Sequence, residues 1–278
     1  MFERKTGFLA LVAVMVGGAA LSPAALGQQT TKTVRTKSHL PSVAFVTETG
    51  EQKIPSEKVQ LAETKAKPVS MAKLATDNAV TQSLQSAGNS VASEAASHAG
   101  SRIAGGAIGS AAGGALSGVF SQHKTQQMTY IWAVQGPASS NIAPTDQPDI
   151  NVNYADTPGV NADDFEPAIV ILTPSQNSWR LIGATQGKEG AAANSAVDWQ
   201  VYTKFLEDRI KVKSEKLAPG KYKISPATPF LPGEYAVVLR PVNKSMKFSG
   251  ADISRGRGDG MIFNSAWTFQ VTPPSEDN

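Results

Sequence analysis

Residues 231–239 read Leu231-Pro-Gly-Glu-Tyr-Ala-Val-Val-Leu239, and a fainter copy, Leu217-Ala-Pro-Gly-Lys-Tyr-Lys-Ile224, stands just upstream. Proline pre-sets its backbone and glycine allows a tight bend, so each copy opens with a turn and runs into a strand. Strand side chains alternate between faces, which puts Tyr235, Val237 and Leu239 on one side and Ala236 and Val238 on the other. Both strands are expected in a core. Working outward, similar short apolar or alternating runs occur at 128–134, 149–154, 168–172, 179–183, 199–202 and 267–271, separated by clusters of Gly, Pro, Asn and Asp. Seven or eight such runs predict a mainly β chain with an antiparallel β-sandwich over residues 124–278.

A tyrosine entering a late strand as Tyr235 does resembles the tyrosine corner of immunoglobulin-like sandwiches. Residues 231–242, with the closing Trp267-Thr-Phe-Gln-Val271, are similar to the end of bacterial exported immunoglobulin-like domains, including the copper-resistance CopC type. The likeness implies a fold. In that family histidines hold copper, whereas this chain has only His39, His98 and His123, all outside the β region, so copper binding does not carry over.

The N-terminus predicts export. Arg4 and Lys5 precede an apolar core from Phe8 to Val16; Pro23 breaks the pattern, and Ala25 and Gly27 suit the minus-three and minus-one positions of a cleavage site. Residues 1–27 are therefore read as a signal peptide, which places the mature chain in the periplasm or cell envelope, or outside the cell. Arg4, Lys5 and Glu3 carry one positive charge of the net +3, leaving about +2, too little to argue for nucleic acid. With no cysteine there is no disulfide framework, thiolate nucleophile or thiolate metal site.

Residues 28–75 are rich in Thr, Lys, Ser, Glu and Pro and are expected to be a disordered linker, with a short strand and turn conceivable at Val43-Ala44-Phe45-Val46 and Glu48-Thr49-Gly50. Residues 76–123 are expected to be helical. Thr76 or Asp77 caps a helix in which Val80, Leu84, Ala87, Val91 and Ala95 form a narrow stripe, suited to close helix packing more than to a bulky core.

The run 103–120 carries no charge, and its rows Gly105, Gly109, Gly113 and Gly114, Gly118 stand four apart. It resembles the glycine-zipper segments of bacterial envelope proteins. Six glycines in a helix cost about 1 kcal/mol each relative to alanine, so roughly 6 kcal/mol must come from packing. As a helix the run is about 27 Å long, slightly short of a hydrocarbon core of about 30 Å. Membrane insertion or self-association through these glycines, a flexible connector, and a buried soluble hairpin all remain open.

Recognisable catalytic patterns are missing. Three scattered histidines give no metal spacing and no nucleophile–base pair, and no serine elbow, Walker loop or dinucleotide loop occurs. No cofactor is expected. The acidic stretch from Asp146 to Glu166 offers hard oxygen ligands without an EF-hand spacing and reads as turn chemistry, and the pair Asp164 and Glu166 lacks a cleft. Arg257-Gly258-Asp259 lies in a glycine-rich stretch expected to be a flexible loop. The expected function is a non-enzymatic exported envelope protein, membrane-associated or self-associating through its Gly-rich segment, whose sandwich binds or scaffolds; the alternative is a freely secreted or surface recognition or adhesion module with the Gly-rich run as a flexible connector.

Overall fold

The alternation at Val43-Ala44-Phe45-Val46 becomes β1 (Ser42–Thr47), which turns at Glu48 and Thr49 into β2 (Gly50–Ile54). The computed structural model describes residues 40–98, 126–193, 198–256 and 258–273. Two further strands follow the hairpin, β3 (Glu57–Lys58) and β4 (Gln60–Thr64). Two helices come next. Ser70 Oγ accepts the Lys73 N–H to cap α1 (Met71–Ala75), and Asp77 Oδ1 accepts the Ala79 N–H at 2.8 Å at the start of α2 (Asn78–His98).

The expectation of a linker over 28–75 is thus corrected from residue 42 onward. Val43, Phe45, Ile54, Val59 and Ala62 are all buried. Each strand is too short to support itself, but each lends apolar residues to a core built mostly from the other end of the chain. Ordering entropy is offset by that shared burial, which local composition does not register.

The chain resumes with β5 (Gln127–Gln135), β6 (Asp149–Asn153), β7 (Phe165–Ile171), β8 (Thr173–Ser175) and β9 (Trp179–Lys188). The expected strand at 199–202 is only β10 (Asp198–Trp199), followed by a 3-10 turn at Val201–Lys204. Then come β11 (Arg209–Ile210), the unexpected and mostly exposed β12 (Val212–Ala218), β13 (Lys221–Pro226), β14 (Gly233–Pro241) and β15 (Phe248–Ser249). The stretch 254–260, expected as a loop, carries structure: α3 (Gly250–Arg255) ends on Gly256 at φ +63, and α4 (Gly260–Phe263) leads into β16 (Ser265–Val271). Glycine at the left-handed cap position ends α3 without the strain a side chain would bring there.

Three antiparallel sheets result, in a sandwich-like arrangement. The first runs β12-β13-β6-β1-β2, the second β11-β7-β14-β16-β3, and the third β4-β5-β9-β8, with β10 and β15 forming a separate small pair. β14 is buried on both faces, with Tyr235 to Leu239 each no more than 4% exposed. Tyr235 Oη donates to the Leu231 carbonyl at 2.6 Å, and its ring stacks on Phe269 at 5.7 Å, which meets Phe45 of the first sheet edge-on at 5.3 Å. The third sheet has two buried faces. Tyr130 and Trp132 point into the main core, whereas Ile131, Ala133, Trp179 and Leu181 pack under Met71 and Leu74 of α1 and Val80 and Leu84 of α2. The helical stripe therefore buries against a bulky sheet, contrary to expectation, and Val80 and Leu84 each contribute roughly 1.5–3 kcal/mol. Val91, Ala95 and the whole 103–120 run lie outside the described side chains.

Candidate functional site

β3 and β4 belong to different sheets, and Val59 is the joint between them. β3 pairs with β16 through Lys58 and Ser265, whereas β4 pairs with β5 from Gln60 opposite Ala133 to Thr64 opposite Thr129. The joint is held firmly. Val59 is buried and donates its N–H to the Asn264 carbonyl at 3.1 Å, while Asn264 Nδ2 donates to the Ile253 carbonyl at 2.6 Å. These bonds tie the crossing strand to α3.

β4 is an edge strand. A strand paired on one side presents its remaining N–H and C=O groups outward on the other. That outer edge forms the floor of an open trough of about 760 Å³. Residues 58–63 line it in unbroken succession; Ala87 of α2 forms one wall, and Tyr130, Ala192, Arg255 and Met261 form the other. The second wall is built by close backbone approach. A side chain at Gly250 would collide with the Ala191 carbonyl, so glycine there lets α3 seat directly on the 190–193 turn. Tyr130 Oη shares its one proton between Glu63 Oε1 at 3.0 Å and the Lys188 carbonyl at 2.8 Å, and accepts the Ala191 N–H. Burial and the Glu63 carboxylate hold that phenol well above its ordinary range, so Tyr130 serves as a fixed donor that braces the turn.

Charge is divided along the trough. Lys58 and Arg255 stand at the Val59 end, exposed and without an ion-pair partner among the described residues. Glu63 stands at the other end, where it also accepts the Gly190 N–H.

Two other polar constellations are satisfied internally. Arg180, 1% exposed, reaches Glu57 at 2.6 Å and Glu234 at 3.0 Å, and its Nε donates to the Gly136 carbonyl; Thr268 Oγ1 bonds Glu57, and the Ser139 N–H bonds Glu234. Arg240 donates to Glu207 at 2.8 Å and lies over the rings of Phe205 and Tyr202. Burial alone would raise the Glu207 carboxyl, but Arg240 and Arg209 outweigh it and hold the group below the usual glutamate range. Each network locks elements together: Arg180 joins the third sheet to the second, and Arg240 joins β14 to the 205–209 segment.

The sites singled out from sequence fall as follows. Gly105, Gly109, Gly113, Gly114 and Gly118 lie outside the described residues, as do residues 1–27, His39 and His123, and the side chain of His98 is not described. In the acidic stretch, Asp149 pairs with Lys223, Asp163 with Lys216, and Asn161 caps a 3-10 turn through the Asp163 N–H. Asp164 accepts from Asn161, and Glu166 is exposed on β7. Among the described residues no group of three His, Asp or Glu side chains could hold a metal ion, and no helix is long and apolar enough to cross a membrane. Of the Arg257-Gly258-Asp259 tripeptide, Gly258 packs against Gly159 and Asp259 is half-buried, while Arg257 lies outside the described residues. Burial, then the neighbouring Asp164 and Asp252, raise the Asp259 carboxyl. The trough itself was hidden in the sequence because its floor was assigned to linker; the alternation of Val59 and Leu61 with polar residues was its available signal. Compared with known protein families, curated proteins and solved structures, the chain matches none.

Proposed function

We propose that this chain is a non-enzymatic exported protein of the cell envelope, in which the sandwich is a binding or scaffolding module and residues 103–120 associate with a membrane or with another copy. The observation that carries the binding role is the open trough beside a strand edge unpaired among the described residues, framed by α2 on one side and the 190–193 turn with α3 on the other, with Lys58 and Arg255 at one end. The non-enzymatic reading draws support from the internal satisfaction of Arg180, Arg240, Glu57, Glu234 and Glu207, which serve packing. The Tyr235 to Leu231 corner supports kinship of fold with exported immunoglobulin-like domains, without copper.

Fractionation with mild crosslinking in the native host tests this reading. An envelope scaffold stays in the membrane pellet after a high-salt wash and is captured with a partner. Recovery of the whole mature chain as an uncrosslinked soluble species would refute it in favour of a freely secreted module.

A further inference from the structure

We propose that the trough takes an extended peptide segment of a partner protein as an added strand, antiparallel to β4, with an acidic side chain near its C-terminal end and a basic one near its N-terminal end. This rests on the reading of the sandwich as a binding module and names what it binds.

The shape of the trough selects an extended chain. Its floor is a run of consecutive residues, 58–63, and at about 3.3 Å per strand residue it extends roughly 17 Å. The chemistry of the floor is main-chain chemistry. Among the described residues no backbone group of Gln60 to Thr64 bonds to anything but β5, so the outward N–H and C=O groups are free for a new partner. Adding a strand satisfies them and supplies affinity that is largely independent of side chains. The walls leave room for it, since Ala62, Ala87, Ala192 and Ala193 contribute only methyl groups.

Charge sets direction. Gly256 packs against Asn264, whose carbonyl receives the Val59 N–H, so Arg255 falls at the Lys58 end of the trough. Glu63 marks the opposite end. Among the described residues every pairing between the named strands is antiparallel, a single parallel bridge joining Ile142 to Gln270, and antiparallel pairing is the more stable per residue. An antiparallel occupant brings its C-terminal end to Lys58 and Arg255, where a carboxylate finds two free cations. Its N-terminal end meets Glu63.

The test uses the full exported chain and a labelled peptide, acetyl-Arg-Val-Ser-Val-Ser-Val-Asp-amide, read by fluorescence anisotropy at low salt. Saturable binding is expected, with hydrogen-exchange protection appearing at alternate amides within Gln60 to Thr64. Two versions of the peptide carry N-methyl groups on alternate residues in opposite phase. Only one phase faces β4, so one version loses binding and the other keeps it. The reversed sequence, with its charges at the wrong ends, binds more weakly. Arg255→Glu lowers affinity up to about 5-fold, as removal of an exposed pair implies, and a peptide ending in Lys recovers it.

The proposal is overturned by no saturation up to about 1 mM peptide, by equal binding of both N-methyl versions or of the reversed peptide, or by protection away from β4. It is also overturned if the chain alone dimerises with concentration and Arg255→Glu abolishes the dimer, for then the occupant is a second copy. Capture of a host partner by crosslinking alongside any of these results would leave the binding module standing and reject only the added strand.

Discussion

Replacing Arg180 with methionine tests whether the buried cation pins the third sheet to the second. The side chain is 1% exposed and supplies donors to Glu57, Glu234 and two main-chain carbonyls, Gly136 and Gln135. Removing one partner of a buried ion pair costs about 3–5 kcal/mol, because the remaining charges lose their compensation. Here the lower end applies. Glu57 keeps the Thr268 hydroxyl, Glu234 keeps the Ser139 N–H at 3.0 Å, and the two side chains are 28% and 16% exposed, so water shares the burden. A loss of about 3 kcal/mol corresponds to a fall in Tm of roughly 6–12 °C at about 2–4 °C per kcal/mol for a chain of this size. Thermal unfolding followed by tryptophan fluorescence measures it, since Trp132, Trp179, Trp199 and Trp267 are all buried. Adding Glu57→Gln and Glu234→Gln to Arg180→Met should restore part of the loss, because the orphaned charges then vanish. A fall under about 2 °C in the single variant, or a further fall in the triple one, would refute the reasoning and leave the two sheets held by apolar contact alone.

Tyr235→Ala should cost about 3–5 kcal/mol in urea unfolding, against about 1 kcal/mol for Tyr235→Phe, which loses only the bond to Leu231; equal losses would mean that the ring is not part of the core. Because its folded-state carboxyl is held low, Glu207 contributes stability at neutral pH that fades below about pH 5 as the group protonates, so Glu207→Gln should be less stable than the parent at pH 7 and approach it in acid. A difference that stays constant with pH would count against that assignment. Among the described residues Gln60 Oε1, buried beside Trp179 and α2, has no hydrogen-bond partner, so Gln60→Met, similar in shape and free of that acceptor, should raise stability by about 1 kcal/mol in the same assay; a drop would show that the acceptor is satisfied.

What could be read from the sequence followed burial geometry. β13 and β14 were legible because a Pro-Gly turn leads directly into an alternating or wholly apolar run, and Val80 and Leu84 were legible as one helical face. β2 and β12 were not, because an edge strand with one open side is written mostly in Lys, Glu and Ser. The strand joint at Val59 was lost in the average of a charged neighbourhood. Arg180 and Arg240 look like surface residues in one dimension, since the Glu57 that meets Arg180 lies 123 positions away, and only the sheet order brings them together. Asn264 gave no signal at all: its main-chain carbonyl holds Val59 while its side-chain amide holds the Ile253 carbonyl of α3, a pairing that only tertiary placement creates.

β4 and β5 are neighbours in one sheet, with Thr64 opposite Thr129, so the chain leaves and re-enters the sandwich through a gap of one strand spacing, about 4.8 Å. Everything between, α1, α2 and the glycine rows, is in effect the loop of a very long hairpin. Tension applied to that loop, as by anchorage of its far end, loads β4 and β5 from the same end and peels their hydrogen bonds one after another, the weak direction of a sheet. The contacts of α1 and α2 with Trp179 and Leu181 then act as a brake on the β4 side, taking up load before it reaches Thr64.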